Sequence, residues 1–136
     1  RTFFHGHTYT GNALACAAAH ATLDIFEADA VLQVLPAKVE HLAGELERLR
    51  ALPAVGDIRR YGVCVGVELV ADRATKTPFP AGERRGMRVC TAARRHGVFL
   101  RPLGDVVVLM PPLSMSPPEL TTLVDALEAG IREVCP

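Results

Sequence analysis

Short strand-like runs come in pairs along this chain and are separated by helical segments, and this order limits the folds open to it. The predicted elements are a helix over residues 12 to about 27, a helix beginning near 29, strands over 58–61 and 63–70, a helix over 82–96, two short strands around a turn at 103–105, and a helix after 116. Strands joined by tight turns pair antiparallel, and an amphipathic helix must pack its apolar face on another element. We therefore predict an α/β fold of the α+β kind, a small, mainly antiparallel sheet with helices packed on it.

Apolar side chains at regular spacing indicate which faces form the core. In the second and last helices they recur every three or four residues, at Leu35, Val39, Leu42, Leu46 and Leu49, and at Leu120, Leu123, Val124, Leu127 and Ile131. In the strand at 63–70 they alternate, at Val63, Val65, Val67 and Leu69. A matching face of the first helix comprises Leu14, Ala18, Ala21, Ile25 and Phe26. We predict that all four faces are buried.

Capping residues mark the helix ends. Asn12 and Asp29 are suited to cap the first two helices, since their side chains accept from free first-turn N–H groups. Ser116 followed by Glu119 predicts a capping box. Gly97 occupies a typical C-terminal position after the third helix.

Composition argues against several classes of function. Fifteen basic residues balance fifteen acidic ones among 136, so nothing favours nucleic acid or an anionic membrane surface as a partner. No apolar run is long enough to span a membrane, and no signal peptide is recognisable. The four cysteines are scattered, which argues against a metal site and predicts reduced core thiols in a cytoplasmic protein.

A polar loop near the N-terminus is the first candidate site. Gly6 and Gly11 bracket it, and Thr8 and Thr10 offer hydroxyl groups just before the first helix. Hydroxyls and a helix N-terminus together can hold an anion. By spacing alone, an ordinary loop with its N-cap is the favoured explanation of the pattern.

Arg101 is the second candidate. We predict that it ends the apolar strand that contains residues 98–100, and the proline after it restrains its backbone. A guanidinium there is placed to pair with a carboxylate through two parallel hydrogen bonds. The alternative is an arginine paired with a structural Asp or Glu of this chain.

Both stretches resemble the class III (ω-) aminotransferases, which are fold-type I enzymes that use pyridoxal 5′-phosphate (PLP). The matching runs are His5-Gly6-His7-Thr8-Tyr9-Thr10-Gly11-Asn12 and Arg101-Pro102-Leu103-Gly104, the latter followed by Pro111-Pro112. The resemblance implies that Thr8 and His7 bind the cofactor, with Thr8 on the phosphate of the neighbouring subunit. It also implies that Arg101 binds the substrate carboxylate and that Gly6 contacts substrate. The chain departs from the family pattern at Ala13, which is usually proline, and at Val108, where an aromatic residue is common.

The resemblance spans almost the whole chain, and it implies an organisation and a function. Residues 1–28 would be the tail of a large PLP-binding domain with its connecting helix, and residues 29–136 the small C-terminal domain of a homodimeric cytoplasmic enzyme. The likeness is strongest to the branch of the family that serves biotin biosynthesis. Two alternatives stay open: another ω-aminotransferase of the ornithine, lysine or GABA type, and a non-catalytic dimerisation or binding module.

No catalytic residue is expected within these 136 residues. PLP chemistry needs a lysine that forms a Schiff base and an acid beside the pyridinium nitrogen. Lys38 and Lys76 are the only lysines; Lys38 lies early in the second helix, on a solvated flank, and Lys76 lies in a loop beside charged neighbours. The resemblance to the family implies that the reactive lysine and the acid for the ring nitrogen lie upstream of Arg1, so we expect the chain to be a fragment of a longer protein.

Overall fold

A computed structural model describes residues 1–136, and the chain divides into two compact units, Arg1–Val34 and Leu35–Pro136. The four helices are α1 (Ala13–Ala28), α2 (Val31–Glu47), α3 (Arg85–Ala93) and α4 (Pro117–Val134). The four strands are β1 (Val55–Tyr61), β2 (Cys64–Leu69), β3 (Arg101–Leu103) and β4 (Val106–Leu109). The order of helices and strands is the one predicted from the sequence.

The sheet of the second unit is antiparallel throughout and has the strand order β1-β2-β4-β3. Each hairpin turns at a glycine with positive φ, +59° at Gly62 and +60° at Gly104, a conformation that costs glycine little. The predicted fold, a small antiparallel sheet with helices packed on it, is confirmed. β1 begins three residues earlier than predicted, at Val55, because a register shift between Val55 and Asp57 carries the strand past Gly56.

The core of the second unit contains the faces predicted for α4, the strands and most of α2. The fully buried side chains include Leu42, Leu49, Val67, Leu69, Val107, Leu109, Leu120, Leu127 and Ile131. Leu46 and Val65 are also buried, at 2 % and 3 % exposure. Sequence periodicity thus identified the core of this unit.

The predicted core face of α1 is wrong for the described chain. Leu14 is 82 % exposed and Ile25 is 56 % exposed, and α1 has no buried residue. A helix buries its apolar stripe only against a second layer. The first unit offers none, since α1 is its only complete helix and no strand lies within it.

The junction between α1 and α2 also differs from the prediction. Asp29 is the C-cap of α1, and its backbone N–H donates to the carbonyls of Ile25 and Glu27. Ala30 then adopts a φ of +47°, and α2 begins at Val31. The expected N-cap role of Asp29 is therefore wrong, because this residue closes the preceding helix. Pro36 lies inside α2, where it removes one backbone hydrogen bond.

The predicted helix over 82–96 is divided into three pieces. A 3₁₀ turn (Ala81–Glu83) precedes α3, a second (Arg94–His96) follows it, and Arg84 has a φ of +48°. The break coincides with a close contact, since the Gly86 N–H donates to Asp105 Oδ1 at 2.8 Å. Gly97, with a φ of +78°, ends the last piece as predicted.

The capping box of α4 is present as predicted. The Ser116 backbone N–H donates to Glu119 Oε2 at 2.7 Å, and the Ser116 hydroxyl bonds to the same oxygen. These hydrogen bonds, the backbone one first, hold the pKa of Glu119 below its usual value. Asn12 likewise caps α1, accepting from the Ala15 N–H at 3.0 Å.

All four cysteines are free, but only two of them are core thiols. Cys90 and Cys135 are buried, and loss of hydration raises the pKa of Cys90 to about 11. Cys16 and Cys64 are exposed, so the prediction of core thiols fails for these two. No helix has both the length and the apolar character needed to cross a membrane.

Candidate functional site

The N-terminal loop consists of two consecutive turns. The Thr10 N–H donates to the His7 carbonyl at 2.9 Å, and the His7 N–H donates to Thr10 Oγ1 at 2.8 Å. The Asn12 N–H closes the second turn on the Tyr9 carbonyl at 3.0 Å, with Gly11 at a φ of +76°. Thr8 is thereby placed at the tip of the first turn.

Thr8 has the free donors that an anion requires. It is exposed, and neither its hydroxyl nor its backbone N–H bonds to another residue, whereas the Thr10 hydroxyl is used within the turn. No acidic residue precedes Asp24 in the chain, so no carboxylate of the loop would repel a phosphate. The Thr8 turn therefore fits the phosphate of PLP.

His7 and Gly6 lie in the same turn but differ in what they offer. His7 Nδ1 accepts from the Tyr9 N–H at 3.2 Å, which orients the ring and leaves Nε2 without a partner in the chain. Gly6 has an exposed backbone, and a Cβ atom there would come no nearer than 3.9 Å to Thr10 Oγ1. The loop thus has room at Gly6 for a ligand to approach.

Arg101 is the first residue of β3, not the last residue of a strand as the sequence suggested. The apolar run before it is not in regular secondary structure, because only residues 101–103 pair with β4. Its side chain is exposed and takes part in no ion pair or hydrogen bond of the chain. The alternative reading, in which a structural carboxylate holds Arg101, has no support in the structure.

Arg101 borders a cavity of about 500 Å³ in the second unit. The other lining side chains are apolar, among them Val98, Phe99, Leu103, Val108, Met110 and Met115. Arg101 is therefore the one charged group that lines it. A cationic fork beside apolar walls suits a carboxylate that carries an aliphatic chain.

Three of the arginines around α3 are engaged by side chains of the chain itself. Arg85 pairs with Glu83 at 2.6 Å, and Arg95 pairs with Glu133. The Arg94 guanidinium lies 4.7 Å from the centre of the Phe99 ring. These three guanidinium groups are therefore not free to bind an anion without losing a contact within the chain.

Sequence reasoning missed one contact next to the cavity. Lys38, assigned to a solvated flank of α2, is half-buried and donates from Nζ to the Leu113 carbonyl at 2.7 Å. The two residues are 75 positions apart, so no local pattern links them. In the sequence, the loop that contains Leu113 was marked only by the preceding Pro111-Pro112 pair of the family motif.

Comparisons with known proteins agree on one family. The family model "Aminotransferase class-III" matches residues 1–131. The chain is 61 % identical over 134 residues to adenosylmethionine-8-amino-7-oxononanoate aminotransferase of Nitratidesulfovibrio vulgaris. The match covers 98 % of the chain and 25 % of that relative, so the chain spans about a quarter of the relative's length.

Solved structures give the same fold. The crystal structure of adenosylmethionine-8-amino-7-oxononanoate aminotransferase from Methanocaldococcus jannaschii superposes with a TM-score of 0.92 at 44 % identity, over 99 % of this chain and 31 % of that one. A thermostable (S)-enantioselective omega-transaminase from Thermomicrobium roseum has a TM-score of 0.90 at 37 % identity, over 100 % and 30 % of the two chains. The fold expected from the resemblance, that of fold-type I transaminases, is thereby confirmed.

Proposed function

The chain belongs to the class-III aminotransferase family, and on that premise we propose that it is the C-terminal part of a PLP-dependent enzyme of biotin biosynthesis. The complete enzyme transfers an amino group from S-adenosylmethionine or lysine to 8-amino-7-oxononanoate. The observation that carries the proposal is the unpaired Arg101 beside an apolar cavity. The substrate named in the relatives, a carboxylate on a long chain, has the matching chemistry.

Thr8 and His7 are the proposed cofactor residues. The Thr8 hydroxyl and N–H donate to the phosphate, and the His7 ring, oriented by the Tyr9 N–H, lies beside them. PLP, when bound, carries the amino group and acts as the electron sink of the reaction. The role of Thr8 and His7 is to hold and orient the phosphate of the cofactor.

Arg101 is the proposed substrate residue, together with Gly6. The guanidinium binds the carboxylate of the keto acid, and the apolar walls exclude water from the aliphatic chain. Binding at the end remote from the reacting carbonyl orients that carbonyl.

The proposed organisation follows the family. Residues 1–28 belong to the tail of the large cofactor domain and residues 29–136 to the small domain, in a homodimeric cytoplasmic enzyme. The exposed apolar face of α1, which has no cover within its own unit, supports the assignment of the first segment to a larger domain.

An assay of the full-length protein tests the function. Incubation with PLP, 8-amino-7-oxononanoate and either donor should yield 7,8-diaminopelargonate. Transfer to simple ketones but not to 8-amino-7-oxononanoate would favour a general ω-transaminase, the class of the Thermomicrobium roseum structure. Self-association without any transfer would favour a dimerisation module.

Thr8→Ala in the full-length enzyme should weaken PLP binding. Removing one hydrogen bond to a charged group costs about 1.5–3 kcal/mol, a loss of about tenfold or more in affinity. Spectroscopic titration with PLP measures it. Thr22→Ala is the control, because that hydroxyl bonds only to the Ala18 carbonyl of its own helix. Equal PLP affinity in the two variants would contradict the assignment of Thr8.

Neither lysine of the chain should carry PLP covalently. Lys38 donates to the Leu113 carbonyl, and Lys76 is exposed in a loop, so neither amine is held free in an apolar pocket as a Schiff-base lysine must be. Borohydride reduction of the PLP-loaded full-length enzyme followed by peptide mapping should label a lysine outside residues 1–136. A stoichiometric label on Lys38 or Lys76 would refute this.

A further inference from the structure

One wall of the Arg101 cavity is formed by the ends of a tight turn. The Met115 N–H donates to the Pro112 carbonyl at 3.0 Å, which closes a turn with Leu113 and Ser114 at its centre. Pro112 and Met115 both line the cavity, and the two central residues do not. An interaction that holds this turn in place therefore also holds this part of the cavity wall in place.

Lys38 is tied to the centre of that turn. Its ammonium group donates to the Leu113 carbonyl at 2.7 Å, and this carbonyl accepts no other hydrogen bond of the chain. The contact is half-buried, so water competes with it less than at an open surface. Lys38, which does not itself line the cavity, thereby restrains the turn.

The supporting helix is itself held firmly. One turn along α2 from Lys38, His41 Nε2 lies 2.9 Å from Thr121 Oγ1 of α4. In the 3₁₀ turn (Arg48–Ala51) that follows α2 directly, Arg48 pairs with Asp125 at 2.5 Å and with Glu128 at 2.9 Å, both in α4. These contacts fix α2 against α4, and of this series only Lys38 reaches the turn that forms the cavity wall.

We propose that Lys38 is a positioning residue, which holds Pro112 and Met115 against the aliphatic chain of the keto acid whose carboxylate pairs with Arg101. This inference rests on the proposed function for the identity of the ligand. Without the hydrogen bond from Lys38 the turn is less restrained, and Pro112 and Met115 lose their contact with the aliphatic part of the ligand. The binding of the carboxylate by Arg101 is left intact. Lys38 thus increases the preference of the cavity for long-chain over short-chain acids.

The test compares two carboxylates of different length in the full-length, PLP-loaded protein. Calorimetric titration with nonanoate and with propionate gives two dissociation constants, whose ratio does not depend on the fraction of folded protein. Lys38→Met keeps the aliphatic stem and removes the donor, and it should lower the preference for nonanoate by about threefold to tenfold. Lys38→Arg retains a cationic donor and should keep most of the preference.

Lys76→Met is the matched control, because Lys76 is the only other lysine and bonds to nothing in the chain. An unchanged ratio in Lys38→Met, or the same fall in Lys76→Met, would overturn the inference, as would a wild-type protein that does not prefer nonanoate. Amino transfer is measured separately on the wild type. A protein that prefers nonanoate and loses this preference in Lys38→Met, but transfers no amino group, would refute the proposed function and still support the role of Lys38.

Discussion

Gly86→Ala should destabilise the second unit by about 2–3 kcal/mol, although alanine is the better helix former. A Cβ atom at this position would lie 2.4 Å from the Gly104 carbonyl oxygen and 3.0 Å from Asp105 Cα. Both are backbone atoms of the β3–β4 turn, so neither a rotamer change nor a flexible side-chain end can relieve the clash. The turn or the start of α3 must move, and the bond from the Gly86 N–H to Asp105 is strained with it.

Two further glycines make the experiment decisive. Gly130→Ala places a Cβ atom 2.8 Å from the Val89 carbonyl oxygen and should also destabilise, because α3 and α4 pack closely there. Gly44→Ala meets nothing within 4 Å in α2 and should stabilise by about 0.5–1 kcal/mol. Urea unfolding of the purified protein, followed by circular dichroism, measures all three. Stabilisation by Gly86→Ala would show that the close contact is absent.

Arg101→Met in the full-length enzyme should lower kcat/KM for 8-amino-7-oxononanoate by about fivefold to 150-fold, which is about 1–3 kcal/mol. The guanidinium has no partner in the chain, so its removal leaves no carboxylate orphaned and should leave the fold intact. Arg101→Lys keeps the charge but not the planar fork, and it should raise KM by a smaller factor. PLP affinity should be unchanged in both variants, since the residue is assigned to substrate.

Arg60→Met is the control for this series. Arg60 is also an exposed strand arginine without an ion pair, but it lies in β1 and does not line the cavity. Steady-state kinetics of the variants separates a substrate role from a general effect of surface charge. An Arg101→Met enzyme with the KM of the wild type would remove Arg101 from the substrate site.

Local interactions explain why much of this protein could be predicted from its sequence alone. The Asn12 cap and the Ser116–Glu119 box depend on side chains within three residues of the backbone they satisfy. The turns at Gly62 and Gly104 depend on the freedom of one residue to adopt positive φ. The stripes of α2 and α4 follow from helical periodicity, which determines the buried face once a second layer exists.

The candidate site was predicted only in part, because its surroundings depend on residues that are far apart in the sequence. The family motifs indicated Thr8 and Arg101, but periodicity and spacing alone could not separate a ligand arginine from one engaged in a structural ion pair. That decision needed the positions of all the carboxylates, none of which pairs with Arg101. The apolar walls around it come from residues between 97 and 123, which only the folded chain brings together.

Long-range packing decided the remaining features. The apolar face predicted for α1 stays exposed, because burial requires a second layer and not merely a pattern. Arg84 interrupts a helical sequence where α3 meets the β3–β4 turn. Lys38 was predicted to be solvated, but it donates a hydrogen bond to a carbonyl 75 positions away. Periodicity and capping involve residues a few positions apart, so the sequence alone is enough to predict them. The contacts of α1, Arg84 and Lys38 depend instead on which distant parts of the chain lie next to them, and only the tertiary structure determines that.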